Sequence, residues 1–349
     1  METKLSVDQV LNLMKSDAPD SIIIAAQEIR RLTKTSQRCR RQLCSAIPQL
    51  VTMLRVNSLD SAEFALLALL NLAVKDEQNK ISIVALGALD PIIEFLQSRN
   101  GSLQEHDTAS ILTLSASSIN KAAITSSGAI PLLVDVLETG TPQAKVDALF
   151  ALYNLSTHSN NLDIILDSHP IPPMIDLLKT CNKSSKTAEK CTALLESLVK
   201  FEQGRNCFVS EEGGILAVVE VLESESIQSR EHAVGALLTL CEIDRCKYRD
   251  LILREGVIPG LLELTVDGSP KSQKKAHQLL SLLRDSPYPR TELKPDTLEN
   301  IVCNIISEIE GEDQSGKAKK MLAEMVQVSM EQSLRHLQQR ALLQEVPSK

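Results

Sequence analysis

The chain has 349 residues, 43% of them apolar and 23% charged, as in a soluble globular protein. Its formal net charge of −8 offers no basic surplus for nucleic acid, and no apolar run approaches the ~20 residues of a membrane span. Aromatic residues make up 2% and tryptophan is absent, so Leu, Ile, Val and Ala must fill the core. The eight cysteines include no C-x-x-C pair and mostly lie in helix patterns. They read as reduced, apolar residues of a cytoplasmic or nuclear protein, with no structural zinc expected. The first residues, Met1-Glu2-Thr3-Lys4, open neither an apolar signal region nor a myristoylation site.

Residues 5–33 read as an incomplete first repeat. A short helix carries Leu5, Val10, Leu13 and Met14, Ser16-Asp17-Ala18-Pro19 turn the chain, and a longer helix covers Ile22–Leu32. Arg30, Arg31, Lys34, Arg38, Arg40 and Arg41 then form a basic cluster. A solvated solenoid end accounts for it; a nuclear-import signal or a site for an acidic partner is the alternative. Six fuller repeats follow, from about Gln37 to Arg284.

The clearest of them contains Gly128–Ser156, which predicts two amphipathic helices. In the first, Pro131 lies in the opening turn, and Leu132, Leu133, Val136 and Leu137 follow at helical spacing. Thr139-Gly140-Thr141 breaks the pattern and Pro142 reopens it, with Val146, Leu149, Leu152 and Leu155 along one side. Counterparts of Ile130 stand at Ile47, Leu89, Ile171, Ile215 and Ile258, at steps of 42, 41, 41, 44 and 43. Counterparts of Leu155 stand at Leu32, Leu72, Leu114, Leu198, Leu240 and Leu282, at steps between 40 and 43. Two markers keeping one period predict a stacked helical solenoid. Gly87, Gly128 and Gly256 supply the bend before the second helix, and the fourth repeat has His169-Pro170-Ile171-Pro172-Pro173 instead. One long helix departs from pattern. Asp107 and Thr108 occupy slots filled elsewhere by Ala65–Leu66, Ala148–Leu149 and Ala233–Val234, which predicts either a rotated or frayed helix or an unnamed partner for the carboxylate.

Several segments carry a resemblance. They are Asn79-Lys80 with Gly87-Ala88-Leu89, Asn120-Lys121 with Gly128-Ala129-Ile130-Pro131, and Arg230-Glu231-His232-Ala233. Gly256-Val257-Ile258-Pro259 continues through Lys274-Lys275-Ala276 to Leu282-Leu283-Arg284. From about Val7 to Arg284 the chain resembles armadillo-repeat proteins, most of all the armadillo region of plant U-box ubiquitin ligases. The resemblance implies an all-α, right-handed superhelical solenoid over residues 1–290, of about six repeats plus the N-terminal partial one.

After Arg284 the repeats stop, and 295–345 reads as a C-terminal helical extension. Leu298, Ile301, Val302, Ile305 and Ile309 share one side of its first helix. A final helix over 317–344 carries Met330, Leu334, Leu337 and Ala341. A cover for the last repeat, or an arm for a partner, would use these stripes.

No constellation for catalysis is assembled. Gly311-Glu312-Asp313-Gln314-Ser315-Gly316-Lys317-Ala318 has phosphate-loop spacing, but Ala318 stands where Ser or Thr must reach Mg²⁺, and a helix pattern precedes it. The six histidines are scattered, with no paired metal spacing. Neither enzyme activity, cofactor nor metal is expected.

What remains is the groove that the resemblance implies along the long third helices. Armadillo proteins hold extended peptides there, relying on an asparagine one residue before the marker leucine. That row reads Arg31, Asn71, Thr113, Asn154, Ser197, Thr239 and Ser281, two asparagines among hydroxyls that partly copy them. One turn earlier come Gln27, Leu67, Ala109, Phe150, Ala193, Gly235 and His277, without the tryptophans of nuclear-import receptors. Two turns earlier stand Glu63, Glu105, Glu189 and Glu231, an acidic row or merely a solvated stripe. The reading is a monomeric scaffold for a protein or peptide partner, without nucleic acid or membrane insertion, centred on Asn71, Glu105, Phe150 and Asn154. The alternative implied by the resemblance is a substrate-binding adaptor in ubiquitin ligation. No U-box is visible before Leu5 or within the repeats, so direct engagement of a ubiquitin-conjugating enzyme is not expected.

Overall fold

A computed structural model describes residues 5–56, 58–97 and 101–284, and all regular structure among them is helical. The incomplete first repeat is α1 (Val7–Leu13) and α2 (Pro19–Thr33). The next three are α3 (Gln37–Gln42), α4 (Ile47–Leu54), α5 (Leu59–Ala73); α6 (Glu77–Ala85), α7 (Leu89–Gln97), α8 (Gly101–Ser115); and α9 (Lys121–Ser126), α10 (Ala129–Thr139), α11 (Pro142–Ser156). The last three are α12 (Leu162–Asp167), α13 (Ile171–Thr180), α14 (Lys186–Leu198); α15 (Glu202–Ser210), α16 (Gly214–Leu222), α17 (Ile227–Ile243); and α18 (Arg245–Arg254), α19 (Ile258–Asp267), α20 (Pro270–Arg284).

Local chemistry sets these boundaries. The long helices α5, α11, α14, α17 and α20 each open on a serine or threonine whose hydroxyl accepts a backbone N–H three residues on: Ser58, Thr141, Ser185, Ser226 and Ser269. A 3-10 turn, Cys44–Ala46, leads into α4, whereas the bends before α7, α10, α13, α16 and α19 are made by a left-handed residue. Gly87, Gly128, Gly213 and Gly256 take φ of 68–80° there, and His169 takes φ 57° at the same point of the fourth repeat. The fourth repeat therefore makes the same bend with a residue that carries a Cβ.

The markers predicted from spacing are the core. Ile47, Leu89, Ile130, Ile171, Ile215 and Ile258 are all buried, as are Leu72, Leu114, Leu155, Leu198 and Leu240. Each buried side chain of this size stabilises by roughly 1.5–3 kcal/mol. Leu32, in the first described long helix, and Leu282, in the last, are only half-buried.

The chain divides into two compact units, the first ending at Glu211 and the second beginning at Glu212. In the first, α2, α5, α8, α11 and α14 stack in sequence, each long helix on the next. In the second, α17 packs on α20 and α16 on α19. The boundary expected near residue 290 and the extension at 295–345 lie outside the described residues.

Candidate functional site

In the first unit, the face left half-exposed by the stacked long helices carries Glu63, Asn71, Glu105, Phe150 and Asn154 of the predicted site. Phe150 is half-buried on α11, with Ala109 of α8 and Ala193 of α14 at the equivalent positions to either side. Tyr153, one turn along α11, is also half-buried, and the Lys190 ammonium stands 4.1 Å from its ring centroid. Phe64 on α5 is half-exposed as well. Phe64, Tyr153 and Lys190 were absent from the sequence reading, although their offsets of eight and two residues before the marker leucines would have revealed them. Leu67 is 6% exposed and belongs mainly to the core.

The two asparagines tie layers together. Asn71 Nδ2 donates to the Arg30 carbonyl of α2 at 2.9 Å. Asn154 Nδ2 donates to the Leu112 carbonyl of α8 at 3.4 Å and to Ser115 Oγ at 3.2 Å. The hydroxyls expected to copy them do something else. Thr113, Ser197 and Thr239 donate to carbonyls four residues back in their own helices, those of Ala109, Ala193 and Gly235.

The glutamates also have local partners. Glu63 approaches His106 Nε2 at 3.6 Å, and Glu105 accepts from the Thr141 hydroxyl that caps α11. Glu231, in the second unit, accepts from the equivalent capping hydroxyl, Ser269 Oγ, at 2.7 Å. Glu189 is 8% exposed and pairs with Lys186 at 2.7 Å and Lys190 at 3.3 Å. Burial alone would raise its titration, but the two lysines outweigh that and hold it below the usual carboxylate range. Nearby Asp147 is raised by burial and by the charge of Glu105, against a hydrogen bond from Gln143. The row is acidic around Glu63, Glu105 and Asp147 and is neutralised at Glu189. A uniform solvated stripe is not what forms.

A second asparagine ladder went unread. Asn79 Nδ2 donates to the carbonyls of Leu72 (3.0 Å) and Arg40 (3.3 Å), and Asn120 Nδ2 to those of Lys80 (3.1 Å) and Leu114 (3.3 Å). Asn161 Nδ2 donates to the Leu155 carbonyl at 3.0 Å. Each satisfies a carbonyl at the C-terminal end of a long helix, where the helix itself offers no donor. Further along, Arg205 reaches the carbonyls of Val199 and Lys200, and Arg249 that of Leu283. In the basic cluster, Arg40 is 6% exposed and donates to the carbonyls of Asn71 and Lys34, so that arginine is structural.

Similarity to known proteins follows this geometry. An engineered protein of known crystal structure superimposes with a TM-score of 0.68 at 17% identity, covering 94% of this chain and 79% of its own. A designed armadillo repeat protein, solved in complex with the peptide (KR)4, superimposes with a TM-score of 0.55 at 16% identity, covering 68% of this chain and 99% of its own. The chain carries armadillo repeats. Residues 133–294 of this armadillo solenoid match the family described as the plant U-box protein ARM repeat region. U-box domain-containing protein 45 of Arabidopsis thaliana is 29% identical over 143 aligned positions, covering 38% of this chain and 18% of that protein. U-box domain-containing protein 1 of Medicago truncatula is 36% identical over 96, covering 27% and 14%. The armadillo region is thus what is shared, and the match spans less than a fifth of either relative. Among the described residues, no helix is long and apolar enough to cross a membrane, and no group of three or more His, Cys, Asp or Glu is placed to hold a metal ion.

Proposed function

We propose that the chain is a non-catalytic interaction scaffold, and that the half-exposed face of α5, α8, α11 and α14 binds an extended, basic segment of a partner protein. The observation that carries this reading is Phe150, an aromatic ring left partly exposed between Ala109 and Ala193, with Asp147 three residues before it and Glu63 and Glu105 in the row one turn earlier. An apolar anchor beside several carboxylates suits a guest that alternates aliphatic stem and cationic head. The (KR)4 peptide in the designed armadillo complex has that character. Fluorescence anisotropy with labelled (KR)4 tests it. Binding should weaken with salt and fall about tenfold, about 1.4 kcal/mol, in Glu63→Gln/Glu105→Gln. No binding, or equal binding by the double variant, would refute it.

A second reading, a substrate-binding adaptor in ubiquitin ligation, is favoured by the homology to U-box proteins over the armadillo region. In that role the chain positions a substrate and does not itself carry ubiquitin. Burial pushes the thiols of Cys181, Cys191, Cys207 and Cys241 up, opposite to what a thioester-forming nucleophile needs. The purified chain mixed with conjugating enzymes should form no ubiquitin chains. Autoubiquitination abolished by a cysteine substitution within the repeats would overturn this.

A further inference from the structure

In the middle of the first unit, α8 buries polar side chains where its neighbours bury apolar ones. Gln104, Asp107, Thr108 and Ser110 are each less than 9% exposed. Thr108 and Ser110 donate to carbonyls four residues back, those of Gln104 and His106. Asp107 is different: it is fully buried, and neither carboxyl oxygen has a hydrogen-bond partner. The helix runs unbroken through this point, and the acid stays buried without a hydrogen-bond partner. Ala65 on α5 and Ala148 on α11 fill the equivalent slots.

Helices α5, α6, α7, α9 and α11 pack against α8. On them, Asp60, Glu77, Asp90 and Glu94 face water. The half-buried charged or titratable groups are Glu63, Lys80, Lys121, Lys145, Asp147 and Tyr153, and on α8 itself Glu105 and His106. None hydrogen-bonds Asp107, and none moves its titration.

We propose that Asp107 makes the α8 layer a proton-linked gate, closed while the carboxyl carries its proton and opened by losing it. An ionised carboxylate without donors cannot stay in that interface, so opening the layer and releasing the proton are coupled. Burial raises the acid from 3.8 to about 8 in the closed layer. The closed layer therefore binds the proton more tightly than the open one does. Its stability is complete below the open-state value near 3.8, declines as pH rises toward 8, and is flat beyond. Glu105 and His106 ride on the same helix, so the gate sets whether that part of the interaction face is assembled.

Hydrogen exchange of the full chain tests this. Amide exchange through rapid local opening accelerates about tenfold per pH unit from chemistry alone, and proton-linked opening adds about another tenfold. Between about pH 5 and 8, amides of α8 should therefore show a slope of about two log units per pH unit. In Asp107→Ala and Asp107→Asn the slope should return to about one. Amides of α17 and α20 in the second unit should show one in all three proteins. Equal α8 slopes in the wild type and Asp107→Ala, or an excess slope shared by α17 and α20, would overturn the proposal. Asp107→Ala, which restores the residue of the equivalent slots, keeps the test decisive should the asparagine variant fold poorly.

Discussion

Removing Asn120 should show what holds successive layers in register. The residue is 2% exposed, and its amide donates to the Lys80 carbonyl at 3.1 Å and the Leu114 carbonyl at 3.3 Å. Asn120→Ala deletes both donors and leaves two carbonyls without them, at about 0.5–1.5 kcal/mol for each hydrogen bond, so about 2 kcal/mol in all. Asn161 makes one such bond, to Leu155, and Asn161→Ala should cost about 1 kcal/mol. Asn120→Asp keeps the shape but turns a carboxylate toward two carbonyl oxygens. It should cost more than alanine, about 3 kcal/mol, with part of the loss recovered when acid protonates the new group. Urea unfolding followed by circular dichroism measures all three. The reasoning fails if Asn120→Ala costs under about 0.5 kcal/mol, or if aspartate is tolerated better than alanine.

Other outcomes follow from particular backbone and side-chain environments. Gly128→Ala places a Cβ on a residue at φ 78°, with no atom within 4 Å of it, so thermal unfolding should report the left-handed strain alone, about 1 kcal/mol. His169→Gly removes that strain at the equivalent bend and should be neutral or stabilising by up to about 1 kcal/mol. Gly204→Ala should be far worse than Gly128→Ala, because its Cβ would lie 2.2 Å from the Leu198 carbonyl oxygen. Thiol labelling should modify exposed Cys44 and Cys246 quickly, while buried Cys191 and Cys241 react only on unfolding.

The period was legible because the layers from α4 to α17 bury the same two apolar positions, Ile130 and Leu155 and their counterparts, whatever the rest of the repeat carries. The face of the first unit was legible only in part. A row read from one helix, such as Glu63, Glu105, Glu189 and Glu231, says nothing of its neighbours in space. The hydroxyls that occupy Glu105 and Glu231 belong to Thr141 and Ser269, which cap the following long helices. Asn79 and Asn120 look like ordinary polar residues at the start of short helices. Their acceptors include carbonyls about 40 residues back, Arg40 and Lys80, which no local pattern shows. Asp107 stood out against the alanines of its slot, yet only the packed structure shows that both its oxygens remain unpaired.

Asn71 and Asn154 bring the tie between layers and the guest site onto one side chain. Each amide has two N–H groups and one carbonyl oxygen. Asn154 directs Nδ2 at both Leu112 O and Ser115 Oγ, and Asn71 directs its own at Arg30 O. What Asn154 offers a guest backbone is therefore Oδ1, an acceptor for an N–H, while Asn71 keeps one N–H as well. A pair serving a guest alone could be removed without loss of stability, but Asn71→Ala/Asn154→Ala should lower stability by about 1–3 kcal/mol through the broken ties. Weaker binding by that variant would not distinguish a lost contact from a loosened layer. Phe150→Ala does distinguish them. Its ring is half-buried, so stability should fall by well under the 3–5 kcal/mol of a core phenylalanine. As a platform, it should weaken (KR)4 binding by about 2 kcal/mol, a roughly thirtyfold change. A large loss of stability with peptide affinity unchanged would place Phe150 in the core and remove the anchor from the proposed face.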